Sequence, residues 1–89
     1  DWELYYLSGR AKMLLANSKF SSKNKEAIFD FTKSIDLNNN IENAKSYYYR
    51  GRVREFIEDD SACIDYYKAC EYNFEDSCNI VDKICYPKT

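Results

Sequence analysis

Apolar residues recur every three or four positions along most of the chain, as on one face of an α-helix, and do not alternate as in a strand. The spacing predicts five helices, at about 2–17, 24–37, 43–57, 61–73 and 76–86. Asn38-Asn39-Asn40 predicts the end of the second helix. The acidic Glu58-Asp59-Asp60 predicts the start of the fourth, where the helix dipole favours negative charge. Pro87 is predicted to follow the last helix.

The chain also resembles itself, because two segments of one half have counterparts in the other. Residues 5–12 align with residues 47–54, and residues 27–34 align with residues 63–70. An internal repeat of this length is typical of stacked helix pairs. We therefore predict a single domain, residues 1–89. Within it, repeat one covers about 2–40, repeat two covers about 43–75, and a last helix at about 76–86 caps repeat two.

The two glycines of the chain, Gly9 and Gly51, occupy the same place in the two repeats and fall within predicted helices. Glycine inside a helix costs about 1 kcal/mol relative to alanine, so a turn does not explain either residue. The shared position predicts that another helix approaches each glycine closely.

The second repeat resembles a tetratricopeptide repeat. In that family the first helix carries an aromatic residue four positions before a small one, as Tyr47 and Gly51 do here. The second helix carries small, aromatic and small residues at spacings of four and three. The other matching residues are Cys63, Tyr67 and Cys70 in repeat two, and Tyr5, Gly9, Ala27, Phe31 and Ser34 in repeat one. The resemblance covers nearly the whole chain and implies an all-α fold: two antiparallel helix-turn-helix repeats plus a C-terminal capping helix, forming a right-handed α-solenoid fragment.

Two features depart from the tetratricopeptide pattern. Repeat one has about six additional residues between its helices, in the stretch 17–25, which predicts a longer turn or longer helix ends. The proline that usually closes each repeat is absent, and Asn39 and Glu75 stand at the two positions.

The four cysteines, Cys63, Cys70, Cys78 and Cys85, form two pairs, and the members of each pair lie two helical turns apart on one predicted helix. Facing residues of an antiparallel helix pair have a constant sum of residue numbers. Cys63 with Cys85 gives the same sum as Cys70 with Cys78, so straight helices favour this nested connectivity among the three possible ones. Free core thiols in a cytosolic protein and a metal or redox site are the alternatives.

A shorter resemblance concerns Cys70 and Cys78, which have seven residues between them. Sel1-like repeats have cysteines at this spacing that link adjacent helices, and those proteins are typically secreted by bacteria. Disulfides form in oxidising compartments. We therefore expect a secreted or periplasmic protein whose signal peptide has been removed, and a cytoplasmic one if the cysteines are free.

The composition argues against catalysis and against two classes of partner. The chain has no histidine, so the usual serine–histidine and cysteine–histidine nucleophiles are excluded, and it has no glycine-rich phosphate loop. We therefore expect neither an enzyme nor a cofactor. A net charge of −2 with interleaved signs gives no broad basic surface for nucleic acid. No apolar run is long enough for membrane insertion.

The tetratricopeptide resemblance implies a groove on the concave face formed by the first helix of each pair. On this analogy its residues are Glu3, Tyr6, Arg10, Met13 and Leu14 from repeat one, with Lys45, Tyr48, Arg52, Glu55 and Phe56 from repeat two. Arginine binds carboxylates and tyrosine gives rigid apolar contact, so the groove suits an extended, partly acidic peptide of a protein partner. The alternatives are a structural or oligomerising segment that associates through its terminal helices, and a redox or metal-binding cysteine protein.

Overall fold

The computed structural model describes residues 1–86, and the regular structure within them is all helical. Five α-helices follow one another: α1 (Trp2–Leu15), α2 (Ser22–Leu37), α3 (Ala44–Phe56), α4 (Ala62–Glu71) and α5 (Glu75–Ile80). A 3-10 turn at Ile41–Asn43 leads into α3, and α5 continues as a π-helical turn at Val81–Cys85. Helices α1 and α2 pack as one pair, α3 and α4 as a second, and α5 packs on α4.

The five helices predicted from the apolar spacing are confirmed, with differences of a few residues at their ends. Helix α2 begins at Ser22, two residues before its predicted start. The Ser21 hydroxyl caps it by accepting a hydrogen bond from the backbone N–H of Lys23. Helix α2 ends at Leu37, directly before the three asparagines. Pro87, which the sequence predicts after the last helix, lies outside the described residues.

The turns before and after α4 are formed by side-chain hydrogen bonds and by residues in the left-handed conformation. Before α4, a carboxylate oxygen of Asp59 accepts hydrogen bonds from the backbone N–H and the hydroxyl of Ser61. These bonds lower the pKa of Asp59, which orders the turn before α4 but does not cap the helix, since the N-cap residue Ser61 makes no side-chain capping bond. Glu58 and Asn73 have φ angles of 62° and 67°, the left-handed conformation that ends α3 and α4.

Each glycine lies where the first helix of a pair touches an aromatic ring of the second. A Cβ atom on Gly9 would lie 2.8 Å from a carbon of the Phe31 ring, and one on Gly51 would lie 2.9 Å from a carbon of the Tyr66 ring. Both rings are fully buried, so neither can move aside without disturbing the core. The close approach predicted from the shared glycine position is confirmed.

The structure corrects the predicted register of α4 by one residue. The counterpart of Phe31 is Tyr66, because each ring packs on the glycine of its own pair, whereas Tyr67 is 42% exposed. The small residues that correspond to Ala27 and Ser34 are therefore Ala62 and Ala69, in place of the predicted Cys63 and Cys70. The prediction was wrong because Tyr66 and Tyr67 are adjacent aromatic residues, and the apolar pattern alone does not say which one faces the core.

The corrected register also gives the length of the insertion in repeat one. Corresponding residues lie 42 positions apart in the first helices, as Gly9 and Gly51 do, but 35 positions apart in the second helices, as Phe31 and Tyr66 do. Repeat one is thus seven residues longer. Most of the added length is helix, because α2 begins five residues before Ala27 whereas α4 begins at its counterpart, Ala62.

In the corrected register the two repeats share a buried carboxylate on their second helix. In repeat one, Asp30 accepts a hydrogen bond from the Ser8 hydroxyl at 2.7 Å and forms an ion pair with Lys12 at 2.8 Å. The hydrogen bond to Asp30 raises the pKa of Lys12. Ser8 and Lys12 lie one helical turn apart on α1, so one carboxylate holds two turns of the first helix against the second.

The counterpart of Asp30 in repeat two is Asp65, which is fully buried and binds two arginines from α3. Its carboxylate oxygens lie 2.7 Å from a nitrogen of Arg50 and 2.8 Å from a nitrogen of Arg54. Arg50 also donates a hydrogen bond to the hydroxyl of Thr32 on α2, at 3.0 Å. The second pair therefore has a buried three-residue ion cluster at the position where the first has a single, more exposed lysine.

Helix α3 joins the two pairs, because it packs on α2 as well as on α4. Val53 is fully buried among core residues of the first pair, and the Tyr49 ring stacks on Phe31 with centroids 6.4 Å apart. On the same face of α3, nearer its N-terminus, the Ser46 hydroxyl lies 3.0 Å from the Ser34 hydroxyl in a buried polar contact. One face of α3 is thus the interface between the repeats.

The structure joins Cys63 to Cys85 and Cys70 to Cys78, the nested pairing predicted from the cysteine spacing. The Cα atoms are 5.7 Å apart in the first pair and 4.7 Å apart in the second. Disulfide-bonded pairs of this kind fit an oxidising environment such as the outside of the cell or the periplasm.

Helix α5, which contains Cys78, covers the open side of the second pair. Phe74, just before α5, lies 4.9 Å from Tyr48 between ring centroids, and Val81 is buried beside Tyr66 and Ala69. The hydroxyl of the buried Ser77 donates a hydrogen bond to the backbone carbonyl of Tyr66 at 2.7 Å. The last helix therefore caps the second pair, as the sequence predicts.

Replacing Gly51 with alanine should lower the free energy of unfolding by about 1–3 kcal/mol, because the new methyl group would overlap the immobile Tyr66 ring. Helix propensity alone predicts the opposite, a stabilisation of about 1 kcal/mol. Urea unfolding followed by circular dichroism decides between them, and a higher urea midpoint for Gly51→Ala would show that the helices are not closely packed here.

Candidate binding surface

Three tyrosine rings form a row across the first helices of the two pairs. The ring centroids of Tyr6 on α1 and Tyr49 on α3 are 6.1 Å apart, and those of Tyr49 and Tyr48 are 4.9 Å apart. We call Tyr6, Tyr49 and Tyr48 the tyrosine row. Because its first member comes from α1 and the others from α3, the row fixes how the two helices lie side by side.

Two cations lie against the first part of the tyrosine row. The Arg10 guanidinium carbon is 4.0 Å from the centroid of Tyr49, and its Nη1 donates a hydrogen bond to the Tyr6 hydroxyl at 2.9 Å. The Lys45 Nζ atom lies 4.5 Å from the centroid of the Tyr6 ring. Aromatic faces attract cations, so the rings hold both charges in place without neutralising them.

A third cation, Arg52, lies at the other end of the row. Its Nη1 donates a hydrogen bond to the Tyr48 hydroxyl at 2.9 Å, which raises the pKa of Arg52 and keeps it charged. Arg52 repeats the contact between Arg10 and Tyr6 in the first pair, so the two repeats present an arginine in the same way.

The cations of the first helices fall into two sets that differ in their partners. Those on the side facing the second helices are paired with acids: Lys12 with Asp30, and Arg50 and Arg54 with Asp65. Those on the tyrosine row are Arg10, Lys45 and Arg52, and their partners are aromatic rings. Within residues 1–86 no carboxylate oxygen lies within 4.0 Å of the charged nitrogens of these three residues. The surface therefore carries three fixed positive charges available to an acidic partner.

The tyrosines have a different role from the one the sequence suggested. Tyr6 and Tyr48 are only 8% and 6% exposed, and their rings pack in the core against Phe31 and Phe74. They cannot offer the apolar contact expected of groove residues, because the ring faces are already covered. They instead position the arginines through their hydroxyl groups.

A cavity of about 240 Å³ opens beside Arg52 and supplies the apolar component of the surface. It lies between the C-terminal ends of α1 and α3, and its lining combines apolar side chains with one arginine and one asparagine. The lining residues are Met13, Ala16, Asn24, Arg52, Val53 and Phe56. Three of these, Met13, Arg52 and Phe56, were predicted as groove residues, and the structure brings them together.

The remaining predicted groove residues are more scattered. Glu55 accepts a hydrogen bond from the hydroxyl of the buried Tyr66 and lies beside Arg52 and Phe56 in a shallow depression. Burial and this contact raise the pKa of Tyr66, so its phenol stays protonated. Glu3 and Leu14 are exposed on α1, and neither lines the cavity.

Sequence reasoning missed Tyr49, the ring that connects the two ends of the row. Its counterpart in repeat one is Leu7, so the comparison of the repeats gave no aromatic match at this position. The run Tyr47-Tyr48-Tyr49 could have indicated it. Three consecutive residues of a helix point in three different directions, so these rings must contact more than one neighbouring helix.

No helix in residues 1–86 combines the length and the apolar character needed to cross a bilayer. Over the same residues, no group of three or more histidine, cysteine, aspartate or glutamate side chains is arranged to hold a metal ion.

No protein-family model, no curated protein and no solved structure matches the chain.

Proposed function

We propose that the chain is a protein-interaction module that binds a short acidic segment of a partner protein across α1 and α3. The observation that supports this best is the set of three cations on the tyrosine row, Arg10, Lys45 and Arg52, each held by an aromatic ring and none paired with an acid among residues 1–86. A guanidinium fixed in this way loses less side-chain freedom when it binds a carboxylate, which favours binding.

The cavity beside Arg52 adds an apolar requirement to this proposal. A bound segment would place an apolar side chain between Met13 and Phe56 and a carboxylate on Arg52, which lies at the edge of the same cavity. A cavity of about 240 Å³ holds one medium-sized side chain and little more. The preferred segment therefore combines one leucine, methionine or phenylalanine with flanking aspartates or glutamates.

The proposal can be tested by selecting peptides from a random twelve-residue phage library on the immobilised, oxidised chain. We expect the selected peptides to be enriched in acidic residues flanking one large apolar residue. The strongest peptide is then synthesised with a fluorescent label, and its affinity is measured by fluorescence polarisation. Binding should weaken as salt is raised, since the charges are near the surface.

The double variant Lys45→Glu/Arg52→Glu should weaken binding of that peptide by tenfold or more, because two attractive charges become repulsive. The matched control is Lys25→Glu/Lys33→Glu, which changes the net charge equally at exposed positions of α2. Circular dichroism of both variants checks that they fold. Selected peptides without an acidic bias, or equal weakening in the two variants, would refute this site.

A further inference from the structure

Helix α1 carries a line of apolar side chains on the side opposite to its core contacts. Leu4, Leu7, Ala11 and Leu14 are spaced by three, four and three residues, and the three leucines are between 59% and 77% exposed. We call these four residues the leucine stripe. This spacing is the repeat of a two-helix packing seam.

The same face of the first helix in the second repeat packs against another helix. The residues of α3 that correspond to Leu4, Leu7 and Ala11, forty-two positions later, are Ser46, Tyr49 and Val53. Ser46 and Val53 are fully buried and Tyr49 is partly buried, because this face of α3 packs on the pair that precedes it. In α1 the same face is uncovered within residues 1–86, so three of the four stripe residues occupy positions that contact another helix in the second repeat; the counterpart of Leu14, Phe56, is exposed.

The opposite end of the described structure is already closed. The face of the second pair that would receive a further repeat, around Tyr66 and Ala69, is covered by Phe74 and Val81 and held by the two disulfides. A second copy therefore cannot stack head to tail on this end without displacing α5. Among residues 1–86 the α1 face is exposed, and association of two copies through that same face gives a closed, two-fold symmetric dimer and not a filament.

The leucine stripe is complementary to itself when two copies of α1 run in opposite directions. Facing residues then have a constant sum of residue numbers, and Leu4 with Leu14 gives the same sum as Leu7 with Ala11. Each Leu7 faces the small Ala11 of the other copy, which gives the large-to-small match that close packing needs. The antiparallel arrangement also places each helix N-terminus beside the C-terminus of the other helix, which the helix dipoles favour.

We infer that the leucine stripe is the interface of a homodimer in which two α1 helices pack antiparallel. The exposed stripe amounts to roughly 400 Å² of apolar surface in each copy, within the range of the largest apolar patches on monomers, which are often functional. Two copies would bury roughly 800 Å², below the standard interface size, so we expect a weak dimer with a Kd in the micromolar range or above. Lys45 and Arg52 lie on α3 whereas the leucine stripe lies on α1, so the variants that test the dimer and those that test the proposed acidic-peptide site change different residues.

Sedimentation equilibrium of the oxidised chain between about 5 and 500 μM tests the inference, because a micromolar Kd lies inside this range. We expect a monomer–dimer equilibrium for the unchanged chain and a monomer at every concentration for Leu4→Glu/Leu7→Glu. The matched control, Phe29→Glu/Ile64→Glu, places the same charges at exposed apolar positions on α2 and α4, outside the stripe, and should dimerise as the unchanged chain does.

Three results would overturn the inference. The first is an unchanged chain that stays monomeric at 500 μM, the top of the concentration range chosen to span a micromolar Kd. The second is a dimer that Leu4→Glu/Leu7→Glu leaves intact, which would place the interface elsewhere. The third is a mass that keeps rising beyond the dimer, which would indicate an open assembly.

Discussion

Replacing Asp65 with alanine should lower the free energy of unfolding by about 3–5 kcal/mol, the largest effect that we expect from a single substitution outside the cysteines. The Asp65 side chain is 1% exposed, and it is the only acidic partner within 4.0 Å of Arg50 and Arg54 among the described residues. Without it, two guanidinium groups that are 14% and 22% exposed keep their charge with no counter-ion.

The matched substitution in the other repeat is Asp30→Ala, and its expected effect is smaller, about 1–2 kcal/mol. Lys12 is 30% exposed and flexible, so it can turn towards water when its partner is removed. Asp65→Asn offers a second comparison, because it keeps the shape and one acceptor oxygen but removes the charge. Urea unfolding of the three variants measures the differences. If Asp65→Ala lowers the free energy of unfolding no more than Asp30→Ala does, the two arginines do not need Asp65 as a counter-ion.

Removing the disulfides should destabilise the chain by a comparable amount. The bridge between Cys63 and Cys85 spans 22 residues of sequence and the one between Cys70 and Cys78 spans 8. The restriction that a closed loop places on the unfolded chain grows with loop length. The expected losses are therefore about 3 kcal/mol for Cys63→Ser/Cys85→Ser and about 2.5 kcal/mol for Cys70→Ser/Cys78→Ser.

Loss of both bridges should also release α5 from α4. Helix α5 has six residues and continues for only five more as a π-helical turn, and a helix this short is unstable without tertiary contacts. We expect hydrogen exchange at residues 75–85 to lose its protection on reduction, while residues of α1 and α2 keep theirs. A cysteine-free variant, treated with the same reductant, is the control. A urea midpoint that reduction leaves unchanged would show that the bridges do not stabilise the fold.

Much of the fold could be predicted because its determinants are local or repeated. The helix spacing, the polar stops and the shared glycines each depend on residues a few positions apart, and the nested pairing follows from helix geometry once Cys63 and Cys85 are placed on facing helices. The register of α4 could not be predicted this way, since the pattern of apolar residues does not distinguish Tyr66 from Tyr67. The matched buried acids, Asp30 and Asp65, hold the information that decides it.

The candidate site was predictable in its charges but not in its aromatic part. Arg10 and Arg52 stand at matching positions of the repeats, Lys45 is the counterpart of Glu3, and all three are exposed or half-buried, as expected of a surface. Tyr48 is covered by Tyr66 and Phe74. Whether Tyr6 lines a groove or fills the core depends on how closely α3 approaches α1. That distance is set by contacts across the whole interface, including Tyr49, and no short segment of sequence encodes it.

The cross-linked α4–α5 end and the one-sided packing of α1 give the molecule a direction of unfolding. Cross-links prevent the last helix from separating, whereas α1 is held by α2 on one side, with few contacts to α3. We therefore expect partial opening of the structure to start where no cross-link restrains the chain and to reach α4 and α5 last, as local stability follows the density of contacts and constraints. Each intermediate on this route would keep α4 and α5 folded together.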